Sequence, residues 1–223
     1  MAIAPDNDNS GLHNVQIAVL AKAPLPGLAK TRLIPALGAE GAARLQRQLT
    51  RKAVNCALQT QLGAVTLWCA PDKQHRFFRA LHRTSSVNCL EQPEGDLGER
   101  MLSAFQLHCH QGPLLLIGTD CPALQPSHLR AAAQTLLDGE DAVCYPAEDG
   151  GYVLIGLRQP QPGLFVDMAW STSEVMSETR ARANSLGLRL RELETLWDVD
   201  LPSDLPRLRA LQSGAAQMKE SHD

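Results

Sequence analysis

From Val15 onward, short apolar runs of strand character alternate with longer runs of helical period. That pattern confines the chain to an α/β fold, a mostly parallel central sheet with helices on both faces. The strand-like runs cover residues 15–21, 64–69, 87–90, 113–118, 142–146, 153–157 and 189–193. Residues 114–117 (Leu-Leu-Leu-Ile) are the most apolar of these and belong at the centre of the sheet. Between strands, residues 38–61 carry Ala43, Leu45, Leu49, Ala53, Val54, Ala57 and Leu58 at helical spacing, which predicts a long covering helix. Further helices are predicted over 72–83 with Asp72 as cap, over 97–107 and 127–137, over 173–185 with Ser171, Thr172 or Ser173 as cap, and from Pro202.

A chain of 223 residues suits one large domain, placed at 15–211. Residues 1–14 contain no apolar run and read as a loose tail rather than a signal peptide or anchor, and residues 212–223 read as a polar, frayed tail. The apolar run at 114–117 is too short to span a bilayer. A net charge of -3 gives no electrostatic case for nucleic acid, so any phosphate binding has to be local. Six cysteines form no C-x-x-C pair and lie mostly in apolar segments, the behaviour of reduced thiols in a cytoplasmic protein. His108-Cys109-His110 resembles a metal cluster, but residues two apart do not share a helix face, so it reads as a helix end.

The first strand runs into Lys22-Ala-Pro24-Leu-Pro26-Gly27-Leu-Ala-Lys30-Thr31-Arg32. This is not a P-loop: the lysine is not adjacent to a glycine, and the two prolines remove N–H groups that would cradle phosphate. It offers instead three cations, Lys22, Lys30 and Arg32, able to neutralise a di- or triphosphate by charge-assisted hydrogen bonds. A solvated, lightly basic loop is the plainer reading. Asp120 follows the central strand and Asp200 lies at a late strand-to-helix junction. The two could hold Mg²⁺ or Mn²⁺, hard cations that take carboxylates, phosphate oxygens and water. Equally, Asp120 could cap a turn, and Asp198, Asp200 and Asp204 could be helix-start carboxylates. Asp149-Gly150-Gly151 between apolar runs reads by itself as a hairpin turn. The cationic loop, the turn at Gly95 to Gly98, Asp120 and Asp200 all fall at strand ends on one edge, where open α/β sheets bind ligands.

The ordered motifs K-A-P-x-P-G-x-x-K-T-R-L, G-D-L-G-E-R, G-T-D-C-P, E-D-G-G-Y-V-L-I-G, W-S-T and D-V-D-x-P-x-D-L, spanning about residues 15–211, resemble the bacterial family called radical-SAM/selenodomain-associated transferase 1. That glycosyltransferase-like family is distantly similar to 2-phospho-lactate guanylyltransferase. The resemblance implies the GT-A (nucleotide-diphospho-sugar transferase) fold in a single domain. By motif it places phosphate gripping on Lys22, Lys30 and Arg32, with Ala21, Gly27 and Thr31 of the same loop at the nucleotide. It places the metal on Asp120 and Asp200, and Gly95, Asp96, Leu97, Gly98 and Arg100 near the base or ribose. Leu201 stands where threonine is more usual, which keeps Asp198 a candidate ligand beside Asp200.

The expected reaction is nucleotidyl transfer from a nucleoside triphosphate to a phosphorylated small-molecule acceptor, governed by positioning and electrostatics. Glycosyl transfer from a nucleotide sugar is the alternative within the fold. It would use Asp149 as base, with Gly150, Gly151, Tyr152, Trp170, Ser171 and Thr172 around the acceptor. A nucleotide- or sugar-binding protein without turnover is the alternative from another class.

Overall fold

The computed structural model describes residues 11–85 and 87–220, with the side chains of 215–220 excepted. A seven-stranded sheet forms from β1 (Gln16–Lys22), β2 (Val65–Ala70), β3 (Asn88–Glu91), β4 (Leu114–Ile117), β5 (Ala142–Pro146), β6 (Tyr152–Leu157) and β7 (Leu190–Glu192), in the order β3-β2-β1-β4-β6-β5-β7. All neighbours are parallel except where β6 pairs antiparallel with β4 and β5. Apolar β4, fully buried, is the middle strand.

Period-two alternation distributes β1 between two cores. Ile17, Val19 and Ala21 pack with α1 (Ile34–Gln59), α2 (Arg76–Thr84) and α4 (Pro126–Leu137). Ala18 and Leu20 face α3 (Leu97–His108) and α5 (Val175–Ser185) on the other side. A third cluster joins Leu33, Leu45 and Leu49 to Trp197, Val199, Leu205 and Leu208, which seats α6 (Leu205–Glu220) against the start of α1. No helix among the described residues is long and apolar enough to cross a membrane.

Several boundaries differ from expectation for local reasons. α1 begins at Ile34 rather than residue 38, and Gly38 (φ 68°, ψ 165°) is a non-helical kink inside it, a backbone that glycine adopts without Cβ strain. Asp72 does not cap α2. It accepts from the Gln74 N–H at 2.6 Å in its own turn, and His75 is the cap. The α5 cap falls on Glu174 with no side-chain cap bond, because Thr172 Oγ1 donates to the Ala169 carbonyl at 2.9 Å within the preceding loop. α6 continues to Glu220, past residue 211 where the domain was expected to end. Of the expected N-terminal tail, residues 1–10 lie outside the described residues, and Leu12–Asn14 form a 3-10 turn.

Because β6 runs against its neighbours, its first residues lie at the same edge as the carboxyl ends of the other strands. The β5–β6 turn is pinned there: Gly150 has φ 92°, and a Cβ on it would stand 2.1 Å from the Ser173 carbonyl oxygen. Its own carbonyl accepts from the Met176 N–H at 2.8 Å. Gly150→Ala therefore should destabilise the fold by about 2–3 kcal/mol, since both the positive φ and a backbone clash oppose the methyl group. Urea unfolding checks this, and a change below about 0.5 kcal/mol would contradict the packing described.

Candidate active site

A cavity of about 850 Å³ opens along this edge, within the range of small-molecule sites. Of the sequence-predicted residues, Ala21, Lys22, Lys30, Thr31, Arg32, Gly95, Asp96, Leu97, Arg100, Asp120, Asp149, Gly151, Tyr152, Trp170, Ser171, Thr172 and Asp200 line it. Gly27, Gly98 and Gly150 do not. Gly27 supplies a positive φ (81°) in the proline-stiffened loop. Gly98 is buried, and a Cβ there would lie 2.5 Å from the Phe165 carbonyl oxygen and 2.7 Å from Trp170 Nε1. It packs α3 closely against the loop before α5.

The three loop cations, expected to act alike, are divided. Lys22 is exposed at the end of β1 and makes no ion pair among the described residues. Lys30 has a left-handed backbone (φ 49°), and its side chain is only 3% exposed. Its ammonium contacts Asp120 Oδ1 at 2.9 Å, the Val199 carbonyl at 2.6 Å and Asp200 Oδ1 at 3.3 Å. Two of its three donors are spent on Val199 and Asp200, with Asp120 in ion-pair contact. Arg32, 62% exposed, donates to Asp200 Oδ2 at 2.6 Å.

The carboxylates divide correspondingly. Asp200 has both oxygens engaged by cations, whereas Asp120 carries Lys30 and the Thr119 hydroxyl (3.1 Å) on Oδ1 alone. The Val199 N–H donates to the Asp120 carbonyl at 2.9 Å and joins the late segment to the end of β4. Asp204 takes the helix-start role, accepting from the N–H groups of Asp200 (2.9 Å) and Leu201 (2.7 Å). Asp198 is half-buried with no cation partner among the described residues. Burial, with Asp149, Asp200 and Asp120 nearby, pushes its pKa up from 3.8 to about 6. Hard oxygen donors are thus present, and the pair expected to hold a metal is bridged by Lys30. Among the described residues no group of three or more His, Cys, Asp or Glu side chains is placed to hold a metal ion. Within the Asp120, Asp198 and Asp200 group, Asp120 Oδ2 and the Asp198 carboxylate are the oxygens that no cation engages.

The G-D-L-G-E-R segment proves to be a helix start. Asp96 accepts from the Glu99 N–H at 2.9 Å and Glu99 accepts from the Asp96 N–H at 2.7 Å, a capping box. Arg100 lines the cavity with its buried Nε unpartnered among the described residues. Tyr152 turns its hydroxyl into the core, 3.8 Å from Met101 Sδ, and burial raises its pKa well above 10. Trp170 stacks on Phe165 at 6.4 Å. Ser171 is left-handed (φ 64°), and Asp149 Oδ1 accepts from the Gly151 N–H at 2.9 Å.

Sequence reasoning missed Gln46 and Gln92. Gln46 is 4% exposed on α1, and its Nε2 donates to Thr119 Oγ1 at 3.1 Å, which in turn donates to Asp120. The available signal was a polar residue inside an apolar stripe, since buried amides need partners. Gln92 also lines the cavity.

Two outcomes follow from these contacts. Lys30→Ala leaves two part-buried carboxylates facing each other and should lower stability by about 1–3 kcal/mol, while Arg32→Ala should change it by less than about 1 kcal/mol. Equal effects in chemical denaturation would contradict the division. Asp198 has a raised pKa, so in metal-free protein its penalty is absent below about pH 4 and complete above about pH 6. Asp198→Asn should therefore add on the order of 1 kcal/mol after solvent screening at pH 7.5, about 2–4 °C in Tm, and little at pH 4. The opposite pH trend would refute the assignment.

Known structures share this architecture. A protein of Desulfovibrio desulfuricans G20, provisionally named a nucleotide-diphospho-sugar transferase, has 27% sequence identity and a TM-score of 0.77, over 84% of this chain and 83% of the other. A nucleotidyl transferase from Methanothermobacter thermautotrophicus gives a TM-score of 0.62 at 17% identity, over 88% and 96%. A CMP:2-keto-3-deoxy-manno-octonic acid synthetase complexed with CTP gives 0.59 at 13% identity, over 90% and 99%. The fold is that of the nucleotide-diphospho-sugar transferases. No curated protein matches the sequence. The family model described as "Uncharacterized protein conserved in bacteria (DUF2064)" matches residues 53–172, from within α1 through Asp120 and the β5–β6 turn to Thr172, and the chain belongs to that family.

Proposed function

We propose that this chain is a nucleotide-dependent transferase acting as a nucleotidyltransferase in the cytoplasm, where its six free cysteines stay reduced. A nucleoside triphosphate lies along the cavity, and a phosphorylated small molecule is the acceptor. The observation that carries this reading is the order of chemistry along one sheet edge. Gln92 and Gly95 follow β3, Lys22 ends β1, Asp120 follows β4, and Asp149 precedes β6. That order supplies in turn an end for a base, a cation for phosphates, a carboxylate cluster and an acceptor end. The names of the solved neighbours, and the narrower resemblance to the radical-SAM/selenodomain-associated transferases, support the same class.

In the reaction, an acceptor phosphate oxygen forms a bond to the α-phosphorus as the bond from that phosphorus to the β-phosphate oxygen breaks. Pyrophosphate leaves with the electron pair. The nucleophile is already anionic and needs no general base. Lys22 and the exposed Arg32 guanidinium stabilise charge on the leaving pyrophosphate. Lys30 is a positioning residue that holds the cationic loop, Asp120 and Asp200 in one geometry. Magnesium or manganese held by Asp120 with Asp198 would supply charge neutralisation at the attacked phosphate.

Glycosyl transfer is the second reading, favoured by the name of the 27%-identical neighbour and by Asp149, exposed beside the turn with one oxygen uncommitted. The two readings part on product. With each nucleoside triphosphate and each nucleotide sugar, plus Mg²⁺ or Mn²⁺ and phosphorylated acceptors, pyrophosphate release that requires the acceptor is expected. Asp120→Asn should reduce it on the order of 100-fold. Release of a free nucleoside diphosphate from a nucleotide sugar would instead overturn nucleotidyl transfer.

A further inference from the structure

A second hollow, of about 370 Å³, lies between α2 and the edge strand β3 and shares no lining residue with the cavity at the strand ends. Its size suits a small ligand. Lys73, Arg79, His82 and Arg83 line it together with Phe78 and Cys89. The positive charge is local. The chain as a whole carries -3, yet residues 72–83 hold Lys73, Arg76, Arg79 and Arg83 against one carboxylate, Asp72. No carboxylate is among the described residues that line the hollow, and Lys73, Arg79 and Arg83 make no ion pair among the described residues. Arg83 spends its Nε on the Arg79 carbonyl at 3.4 Å, and His82 Nδ1 donates to the Val87 carbonyl at 2.9 Å.

Two thiols meet beneath these cations. β2 and β3 pair with Leu67 opposite Cys89, so the period of two puts Cys69 and Cys89 on one face of the sheet, under α2. Cys69 is wholly buried, and its thiol is in hydrogen-bond contact with half-buried Cys89. That contact, with His82 and Lys73 nearby, pulls the Cys89 thiol down to about 7 against the opposing effect of burial. Elsewhere burial dominates: it pushes Cys56 and Cys109 up to about 12 and Cys121 up to about 11, and it raises Cys144 as well. The thiolate is the nucleophilic form, so Cys89 is the thiol of this chain best prepared to react.

We propose that Cys89 is a modification site for small anionic thiols, forming a mixed disulfide whose carboxylate-bearing half is held by Lys73, Arg79 and Arg83. In the exchange, the Cys89 thiolate bonds to one sulfur of a small carboxylate-bearing disulfide. The S–S bond of that disulfide breaks, and its other half departs as a thiolate with the electron pair. A free thiol reverses the adduct by the same exchange, so in a reducing compartment it is transient. Ammonium and guanidinium groups make charge-assisted hydrogen bonds to carboxylates, which lets the hollow select its reagent by charge.

The test compares two disulfides on the full, reduced chain: oxidised glutathione, which carries carboxylates, and cystamine, which is cationic. Peptide mass spectrometry reads the rate of adduct formation at Cys89. Each rate is divided by that of the same reagent at Cys89 in the urea-unfolded chain, which removes the reagents' own reactivity. The normalised ratio is expected to favour oxidised glutathione by about tenfold or more. It is expected to fall below about threefold in a Lys73→Gln, Arg79→Gln, Arg83→Gln variant, and equally for the unaltered chain at about 0.5 M salt, where exposed charges are screened. The salt arm requires no substitution and stands even where the variant fails to fold. A smaller ratio in the unaltered chain overturns the proposal, as does one that survives the substitutions or the salt. Modification chiefly at another cysteine, or a Cys69–Cys89 disulfide in place of the mixed one, also overturns it.

Discussion

A buried ammonium group ties the site together. Lys30 reaches from the loop after β1 to the end of β4 and to the segment before α6, and the side chain is almost wholly withdrawn from water. Removing a charge from solvent costs several kcal/mol unless its donors are satisfied. Here a carbonyl and two carboxylates satisfy them, and the two aspartates gain the counter-charge that lets them stand together. The left-handed backbone at Lys30 is what aims the side chain inward, a local strain offset by those contacts. The loop is therefore an anchored wall of the cavity, with Lys22 and Arg32 as its outward cations.

The sheet supplies the rest. Parallel strands deliver their carboxyl ends to one edge, and reversed β6 brings the β5–β6 turn to that edge as well. Backbone contacts then fix spacing that side chains alone would leave loose: Val199 to Asp120, Met176 to Gly150, and Gln92 to Cys69. A second polar chain, from Gln46 through Thr119, orients the Asp120 carboxylate from the buried side. Asp198 is the exception, a carboxylate packed among others without a cation, which is how functional sites hold groups at the expense of stability.

Much of the fold was legible because it rests on periodicity. The strand–helix alternation, the central place of β4 and the single-edge clustering of Lys22, Asp120 and Asp200 follow from apolar patterning alone. Helix starts at Asp72 and Ser171 to Ser173 were misplaced because side chains that favour caps bonded within their own loops. In the G-D-L-G-E-R segment, Gly95, Asp96, Leu97 and Arg100 line the cavity, while Asp96 and Glu99 also form a capping box and Gly98 makes a tight helix contact. Lys30 could not be told from Lys22 by type, since burial is set by the left-handed turn. Gln92 was invisible because its partners are strand carbonyls distant in sequence, whereas Gln46 showed only as a polar residue inside an apolar stripe.

The most direct measurement is a crystal structure of the full chain with a nucleoside triphosphate and Mg²⁺. The account predicts the base at Gln92 and Leu97, the phosphates beside Lys22 and Arg32, and Lys30 still bonded to the Val199 carbonyl. A nucleotide bound away from this edge, or a Lys30 ammonium drawn off Val199 and onto the phosphates, would contradict it.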